Sequence, residues 1–293
     1  MTFLLAIAGI LGISASGPII AAFPGVPVLS MALWRNGAAA AVLAVPSIKK
    51  NKRAFVEIKG REWFYTGVAG TALALHFICF MYSMRMTSVA AGTALVCIQG
   101  VWIVLFQALR KVRYRTPVFI GMGIALLGVL LITGFDLGQG REAIIGDLLA
   151  VAGGVLAAIY TLAGAAARRT MSTSTYATGC YTITAGILLV LCLATGQPIW
   201  GFDAKGWLGI ILLTVCAQLL GHTAMNHLLD VLGPLTVSTL ILLEIPGAAL
   251  LAAVFLGQVV PAATYLGLAV ILVGLILIVR GQVPPKNVVE QPY

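Results

Sequence analysis

Charged residues are scarce in this 293-residue sequence, and acidic residues are the scarcest of them. Only 9% of the residues are charged, and Asp and Glu together number nine. A soluble domain of this length needs far more surface charge, so the composition excludes one. The 60% share of hydrophobic residues, arranged in long apolar runs, instead predicts an all-α integral membrane protein.

The motifs of soluble enzymes and nucleotide-driven pumps are missing as well. The sequence contains no Walker A run, no GxSxG and no HExxH, so neither ATP-driven pumping nor hydrolase chemistry is expected. The five cysteines form no CxxC pair and lie in apolar runs, which indicates small buried side chains. The three histidines lack the acidic neighbours of a metal site. We therefore expect no enzyme activity, no cofactor and no metal.

Long apolar runs fill almost the whole chain. A membrane-spanning helix needs about 20 such residues, and the short connections between the runs hold the helix breakers Pro and Gly. The sequence predicts ten spanning helices, at about 3–22, 28–48, 62–83, 87–109, 117–134, 147–167, 174–195, 206–228, 235–257 and 261–280.

Lysine and arginine fall mainly on one side of these predicted spans. Fourteen of the 18 basic residues lie in segments on the same side as the N-terminus, and three lie on the opposite side. Cytoplasmic loops of membrane proteins carry such an excess, so we predict that both termini face the cytoplasm. The net charge of +9 then reflects membrane orientation and does not indicate a nucleic-acid partner. The polar tail 284–293 is predicted to be disordered.

The two halves of the sequence resemble each other at an offset of 146 residues. Four identical pairs fall in this register: His76 with His222, Thr93 with Thr239, Gly121 with Gly267, and Gly128 with Gly274. Each half holds five predicted spans, an odd number, so the second half would enter the membrane from the opposite side. We therefore predict two inverted five-helix repeats, 1–139 and 140–283, which is an architecture of alternating-access carriers.

Residues 146–166, 206–234 and 240–279 carry the order and spacing of a known family. On these stretches the chain resembles the ten-helix EamA-type carriers of the drug/metabolite transporter superfamily. The resemblance implies a secondary active or facilitative carrier of the bacterial inner membrane, typically an exporter of amino acids or other small metabolites. The expected partners are a small-molecule substrate and the lipid bilayer, with protons as a candidate coupling ion, and the expected state is a monomer.

Two other functions stay open at this point. Within the carrier class, the protein could import a vitamin or a nucleoside-like solute. From a different class, it could be a membrane-embedded enzyme that modifies lipids, although such an enzyme needs clustered acids or histidines at the membrane interface. With only nine acids in the sequence, the carrier remains the preferred interpretation.

Glu244 and Arg35 are charged residues inside apolar runs, where such groups usually face a partner or a water-filled cavity. Counted from opposite membrane faces, Arg35 lies ~12 Å deep and Glu244 ~14 Å deep at 1.5 Å per residue. These depths nearly meet in a ~30 Å core, so a structural ion pair between the two residues is one hypothesis. The other is that Glu244 binds a cationic group of the substrate or accepts a proton.

Further polar and amphipathic residues lie inside the predicted spans. The family resemblance implies a cavity lined by the first, third, fourth, sixth, eighth and ninth helices, and all of the candidates below lie on these helices. Packing between helices is the alternative role for each of them. The predicted substrate-binding residues are His76, Gln99, Trp102, Tyr160, His222, Asn226 and Glu244.

Overall fold

The computed structural model describes residues 2–50, 58–136, 140–259 and 262–281. These residues form helices joined by short turns, and no strand occurs among them, which confirms the predicted all-α class. The predicted disordered tail, 284–293, lies outside the described residues.

Fourteen α-helices and one π-helical segment make up the described part of the chain. In chain order they are α1 (Thr2–Ser14), α2 (Ser16–Ala22), α3 (Val28–Lys50), α4 (Gly60–Met86), α5 (Val89–Cys97), α6 (Gln99–Leu109), α7 (Thr116–Asp136), α8 (Arg141–Arg168), α9 (Thr173–Ala194), α10 (Ala204–Leu212), the π-helical segment (Leu213–His222), α11 (Thr223–Leu232), α12 (Pro234–Ile241), α13 (Glu244–Leu256) and α14 (Ala262–Arg280).

Within the described ranges, eight helical stretches are long and apolar enough to cross a bilayer. Each overlaps one of the ten predicted spans. The other two predicted spans correspond to α7 and α14, whose apolar stretches are shorter, at Thr116–Gly128 and Tyr265–Ile278. The structure therefore shows a multi-pass helical protein with eight candidate spans, and the count of ten stays a prediction.

Proline accounts for two of the breaks inside the spans. Proline lacks the backbone N–H, and its ring clashes with the carbonyl four residues earlier in a continuous helix. The carbonyl four residues before Pro18 belongs to Ser14, where α1 ends. The carbonyl four residues before Pro246 belongs to Leu242, which lies between α12 and α13. The same chemistry thus interrupts the first and the ninth predicted spans.

At three breaks inside the spans, with or without a proline, the second half-helix begins with a polar residue. Ser16 is the first residue of α2, Gln99 of α6 and Glu244 of α13. The break before Gln99 has no proline and falls at Ile98, whose backbone leaves helical geometry with ψ at 5°. These starts place polar side chains deep within spans.

The helices α4 and α8 pack antiparallel along their length. At one end, a Cβ added to Gly146 would lie 3.0 Å from the Cβ of Met86. At the other end, the hydroxyl of Thr170, just after α8, donates a hydrogen bond of 3.0 Å to the Glu62 carboxylate. Small residues such as Gly146 allow this close approach between helices. The ends of α4 near Glu62 and Met86 therefore mark opposite ends of the bundle.

The helices α7 and α14 also meet through glycine. A Cβ on Gly121 would overlap the carbonyl oxygen of Gly274, and a Cβ on Gly128 would lie 2.8 Å from the carbonyl oxygen of Gly267. These four residues are the glycine pairs that align at the 146-residue offset. The backbones of the two helices are in contact at these glycines, where a residue with a side chain would not fit.

Candidate functional site

A cavity of about 60 Å³ lies between six of the spans. Its lining comes from the first, third, fourth, sixth, eighth and ninth predicted spans, which is the set that the family resemblance implied. One water molecule needs roughly 10–15 Å³ of cavity volume, so the cavity has room for about four to six water molecules. Six of the seven predicted substrate-binding residues line it: His76, Gln99, Tyr160, His222, Asn226 and Glu244.

Glu244 brings the only carboxylate among the residues that line the cavity. Its side chain is 7% exposed, and the thiol of Cys97 lies 3.9 Å from one carboxylate oxygen. As the first residue of α13, Glu244 lies at the partly positive end of that helix dipole, which favours a negative charge there. The helix dipole thus offsets part of the cost of burying a charged carboxylate that faces the cavity.

Ser16 also lines the cavity and is a residue that the sequence analysis missed. A signal for it was present in the sequence. Ser16-Gly17-Pro18 repeats the pattern of Glu244-Ile245-Pro246, in which a polar residue precedes a proline by two positions. In both places the proline interrupts the helix just before the polar residue, so the pattern indicates a polar group at a helix break.

A chain of hydrogen bonds fixes the polar wall on the α8 and α11 side. The Tyr160 hydroxyl donates to the Asn226 side-chain oxygen at 2.6 Å, and the Asn226 amide donates to the Tyr181 hydroxyl at 3.1 Å. The Tyr181 hydroxyl is in turn 3.3 Å from that of Thr223. Buried polar groups that are paired in this way lock their side chains in one geometry. Tyr160 and Asn226 therefore present a preformed surface to the cavity.

The two predicted histidines face each other across the site. Their ring centroids are 6.4 Å apart, and His222 lies 6.2 Å from the ring of Tyr160. The Nδ1 atom of His76 is 2.9 Å from the carbonyl oxygen of Gly153, and because a carbonyl only accepts, Nδ1 carries the hydrogen. His76 is thus held by α8, and its ring stacks on Phe80 at 5.8 Å.

The predicted ion pair between Arg35 and Glu244 is not formed in this structure. Within the described ranges the ion pair is Arg168 with Asp230, at 3.5 Å. The Arg35 side chain is fully buried, and its Nε donates 2.7 Å to the side-chain oxygen of Gln218. The depth argument carried no information on direction, because helix rotation decides which neighbour a side chain meets.

Arg35 lies one side chain behind the cavity wall. Its Nη1 is 3.5 Å from the hydroxyl of Ser16, and its guanidinium lies 4.0 Å from the ring centroid of Phe77. Among the described residues its Nη2 has no hydrogen-bond partner. The guanidinium therefore contributes positive charge next to the cavity while its contacts are with neutral groups.

A π-helical segment supplies the partner of Arg35. Gln218 lies within this segment, accepts from Arg35 and donates 3.2 Å to the Asn36 side-chain oxygen. The wider π turn is closed by Thr223, whose hydroxyl donates 3.0 Å to the Gln218 carbonyl five residues earlier. π-helical turns occur frequently at functional sites. Nothing in hydropathy distinguishes such a segment from an ordinary spanning helix, which is why the sequence analysis missed Gln218.

Trp102 is the one predicted binding residue that the structure does not place in the cavity wall. It is half-buried and packs against the hydrophobic core. Trp102 follows Gln99 by three residues on α6, which moves it about 4.5 Å along the helix axis and beyond the cavity. The prediction that Trp102 contacts substrate is therefore not supported by its position.

Together, the fold and this site define a multi-pass helical membrane protein with a compact cavity between its spans that both polar and apolar side chains line. Residues 144–280 match the profile of the EamA-like transporter family, which belongs to the drug/metabolite transporter superfamily. That family consists of transporters.

Comparison with solved structures gives the same fold. One of 29 matching chains, described only as a crystal structure of a protein, covers 94% of this chain and 95% of its own length with a TM-score of 0.68. The two sequences are 19% identical, so the likeness concerns the fold alone. No curated protein matches the chain.

Proposed function

We propose that this protein is a secondary active or facilitative carrier that exports a small organic metabolite, with amino acids as the leading class, across a bacterial inner membrane by alternating access. The observation that carries the proposal is the convergence of six predicted polar residues, from five spans, on one cavity. Polar groups inside a membrane are costly, and they commonly mark the pathway of a solute.

Ten spans in two inverted repeats are part of this proposal, and the glycine contacts support them. If the halves are related by a two-fold axis, a contact of Gly121 with Gly274 requires an equivalent contact of Gly267 with Gly128. Both contacts are present between α7 and α14. Equivalent residues near such an axis should also approach each other, as the rings of His76 and His222 do. Inverted repeats with a site at their interface are typical of carriers.

The cavity favours a compact solute with a cationic group. Glu244 offers a carboxylate for such a group, while Asn226, Tyr160 and Gln99 offer neutral hydrogen-bonding groups beside it. A primary amine could occupy the position next to Glu244 without a large opening of the helices, whereas a bulky drug would need one.

We expect a binding screen by thermal unfolding to find such a solute. The purified protein in detergent would be heated with each common amino acid, with choline and with adenosine. A ligand that binds only the folded state stabilises it by RT ln(1 + [L]/Kd), about 2.7 kcal/mol at 100-fold excess over Kd, so Tm should rise with concentration for amines. Propionate, which lacks an amine, is the control for L-alanine. A Tm that responds to adenosine and to none of the amines would favour the alternative of a nucleoside-like solute.

The proposed orientation gives a second expected result. Reporter proteins fused after residue 54 and at the C-terminus should both be active in the cytoplasm, and a reporter inserted near residue 139 should be active outside. The reason is the excess of Lys and Arg in the segments assigned to the cytoplasm. A C-terminal reporter that is active only outside would remove the ten-span arrangement and the inverted repeat with it.

A further inference from the structure

Two arginines hold backbone carbonyl groups at opposite ends of the helix bundle. Arg85 lies in the last turn of α4, and Arg168 is the last residue of α8. Because α4 and α8 are antiparallel and Thr170 contacts Glu62, Arg168 lies near the start of α4 while Arg85 lies at its end. The 23 residues from Glu62 to Arg85 span about 34 Å, close to the thickness of a bilayer core.

Arg85 connects two elements that line the cavity. One of its terminal nitrogens, Nη2, donates to the carbonyl oxygens of Phe23 at 3.3 Å and Val26 at 2.5 Å. Both carbonyls belong to the turn that follows α2, the half-helix that begins at the cavity residue Ser16. Five residues before Arg85, Phe80 also lines the cavity. Arg85 thus ties the end of α4 to the turn that follows α2, at one end of the bundle.

Arg168 makes the corresponding connection at the other end. Its Nε donates 3.2 Å to the carbonyl oxygen of Asn226, Nη1 donates to the carbonyl of Met171, and Nη2 lies 3.5 Å from the Asp230 carboxylate. Asn226 itself lines the cavity. Arg168 is 5% exposed, so these bonds close that end of α8 against α11.

We infer that Arg85 and Arg168 are the two gate residues of the carrier, one for each face of the membrane. The inference rests on the proposed alternating-access function. Each guanidinium bridges helices that must separate for a path to open between the cavity and its own face. In this structure both sets of bonds are formed. Transport then requires the bonds of one arginine to break while those of the other persist.

The native Cys97 offers a reporter for this inference, because it lines the cavity and is 1% exposed. In a background with Cys79, Cys180, Cys192 and Cys216 replaced by Ala, a membrane-impermeant methanethiosulfonate reagent would label Cys97 only through an open path. The rate would be measured separately in right-side-out and inside-out vesicles. No solute or flux is needed for the measurement.

We expect Arg85→Met to raise the labelling rate ~10-fold from one face only and Arg168→Met to raise it ~10-fold from the opposite face only. This corresponds to loss of roughly one charge-assisted hydrogen bond in the closed state. Arg61→Met is the matched control, since Arg61 is an exposed arginine of α4 whose hydrogen bond is with Tyr65 of the same helix. It should leave both rates unchanged.

Milder variants cover the case of a protein that fails to fold. Asp230→Asn removes only the ion pair of Arg168, and Arg85→Lys retains a donor for the carbonyls; each should raise labelling less than the Met variant and from the same face. Equal increases from both faces, or none in a folded variant, would overturn the inference and leave the arginines as packing residues. Labelling that rises from one face only, in a protein that transports no solute, would support the gate residues and contradict the proposed function. The failure of the inference and the failure of the proposed function are therefore distinguishable.

Discussion

Glu244→Gln is expected to reduce transport at least 10-fold while leaving the protein folded. A hydrogen bond to a charged group contributes about 1.5–3 kcal/mol, and its loss weakens binding of a cationic group by roughly 10- to 100-fold. Folding should survive because Glu244 makes no ion pair with Arg35, so that no cation loses a direct partner. Solute flux in proteoliposomes and Tm in detergent would be measured on the same preparation.

The matched control for this variant is Glu142→Gln, which makes the same chemical change at an exposed position in the first turn of α8. It should transport at the native rate. A Glu244→Gln protein that also transports at the native rate at every pH tested would remove Glu244 from the mechanism. A Glu244→Gln protein that misfolds, and that regains folding when Arg35→Met is added, would restore the structural ion pair as its role.

Gly121→Val is expected to destabilise the protein by at least ~1–3 kcal/mol, the typical cost of forcing extra atoms into a closely packed contact. Its Cβ would overlap the carbonyl oxygen of Gly274 and approach the backbone nitrogen of Ile278 at 2.8 Å. These are backbone atoms, which cannot rotate away as a side chain can. The free energy of unfolding, or Tm at fixed detergent concentration, would show the loss.

Gly123→Val supplies the control on the same helix. A Cβ at this position meets no atom within 4 Å outside the backbone of its own helix, so the variant carries the same valine without the collision. We expect its Tm to change little. Equal losses in the two variants would show that valine itself, and not the contact between α7 and α14, is responsible, and would weaken the support for the inverted repeat.

The positions of the spans could be predicted from the sequence because lipid imposes a simple constraint. Backbone polar groups in hydrocarbon must be bonded within the segment, so long apolar runs become helices. The same constraint makes a polar side chain in such a run conspicuous. This is why His76, His222 and Glu244 could be chosen without a structure, and why all three lie in the cavity wall.

The partner of Arg35 could not be predicted in this way. Counting residues gives the depth of a side chain in the membrane at 1.5 Å per residue, but each step also turns the helix by about 100°. The direction of Arg35 therefore depends on how α3 is rotated against its neighbours, which no single-segment pattern records. Its actual partner, Gln218, lies 183 residues away in a π-helical segment.

The helix breaks at Ser16, Gln99 and Glu244 have a mechanical consequence. Each of these residues is the first of a second half-helix, so a tilt of one half-helix against the other would pivot close to it. The half-helix α13 has 13 residues and is about 20 Å long, so a tilt of about 10° would displace its far end by roughly 3–4 Å. The pivot residue itself would hardly move. The groups that face the cavity would therefore keep their positions and hold a solute while the outer ends of the helices move.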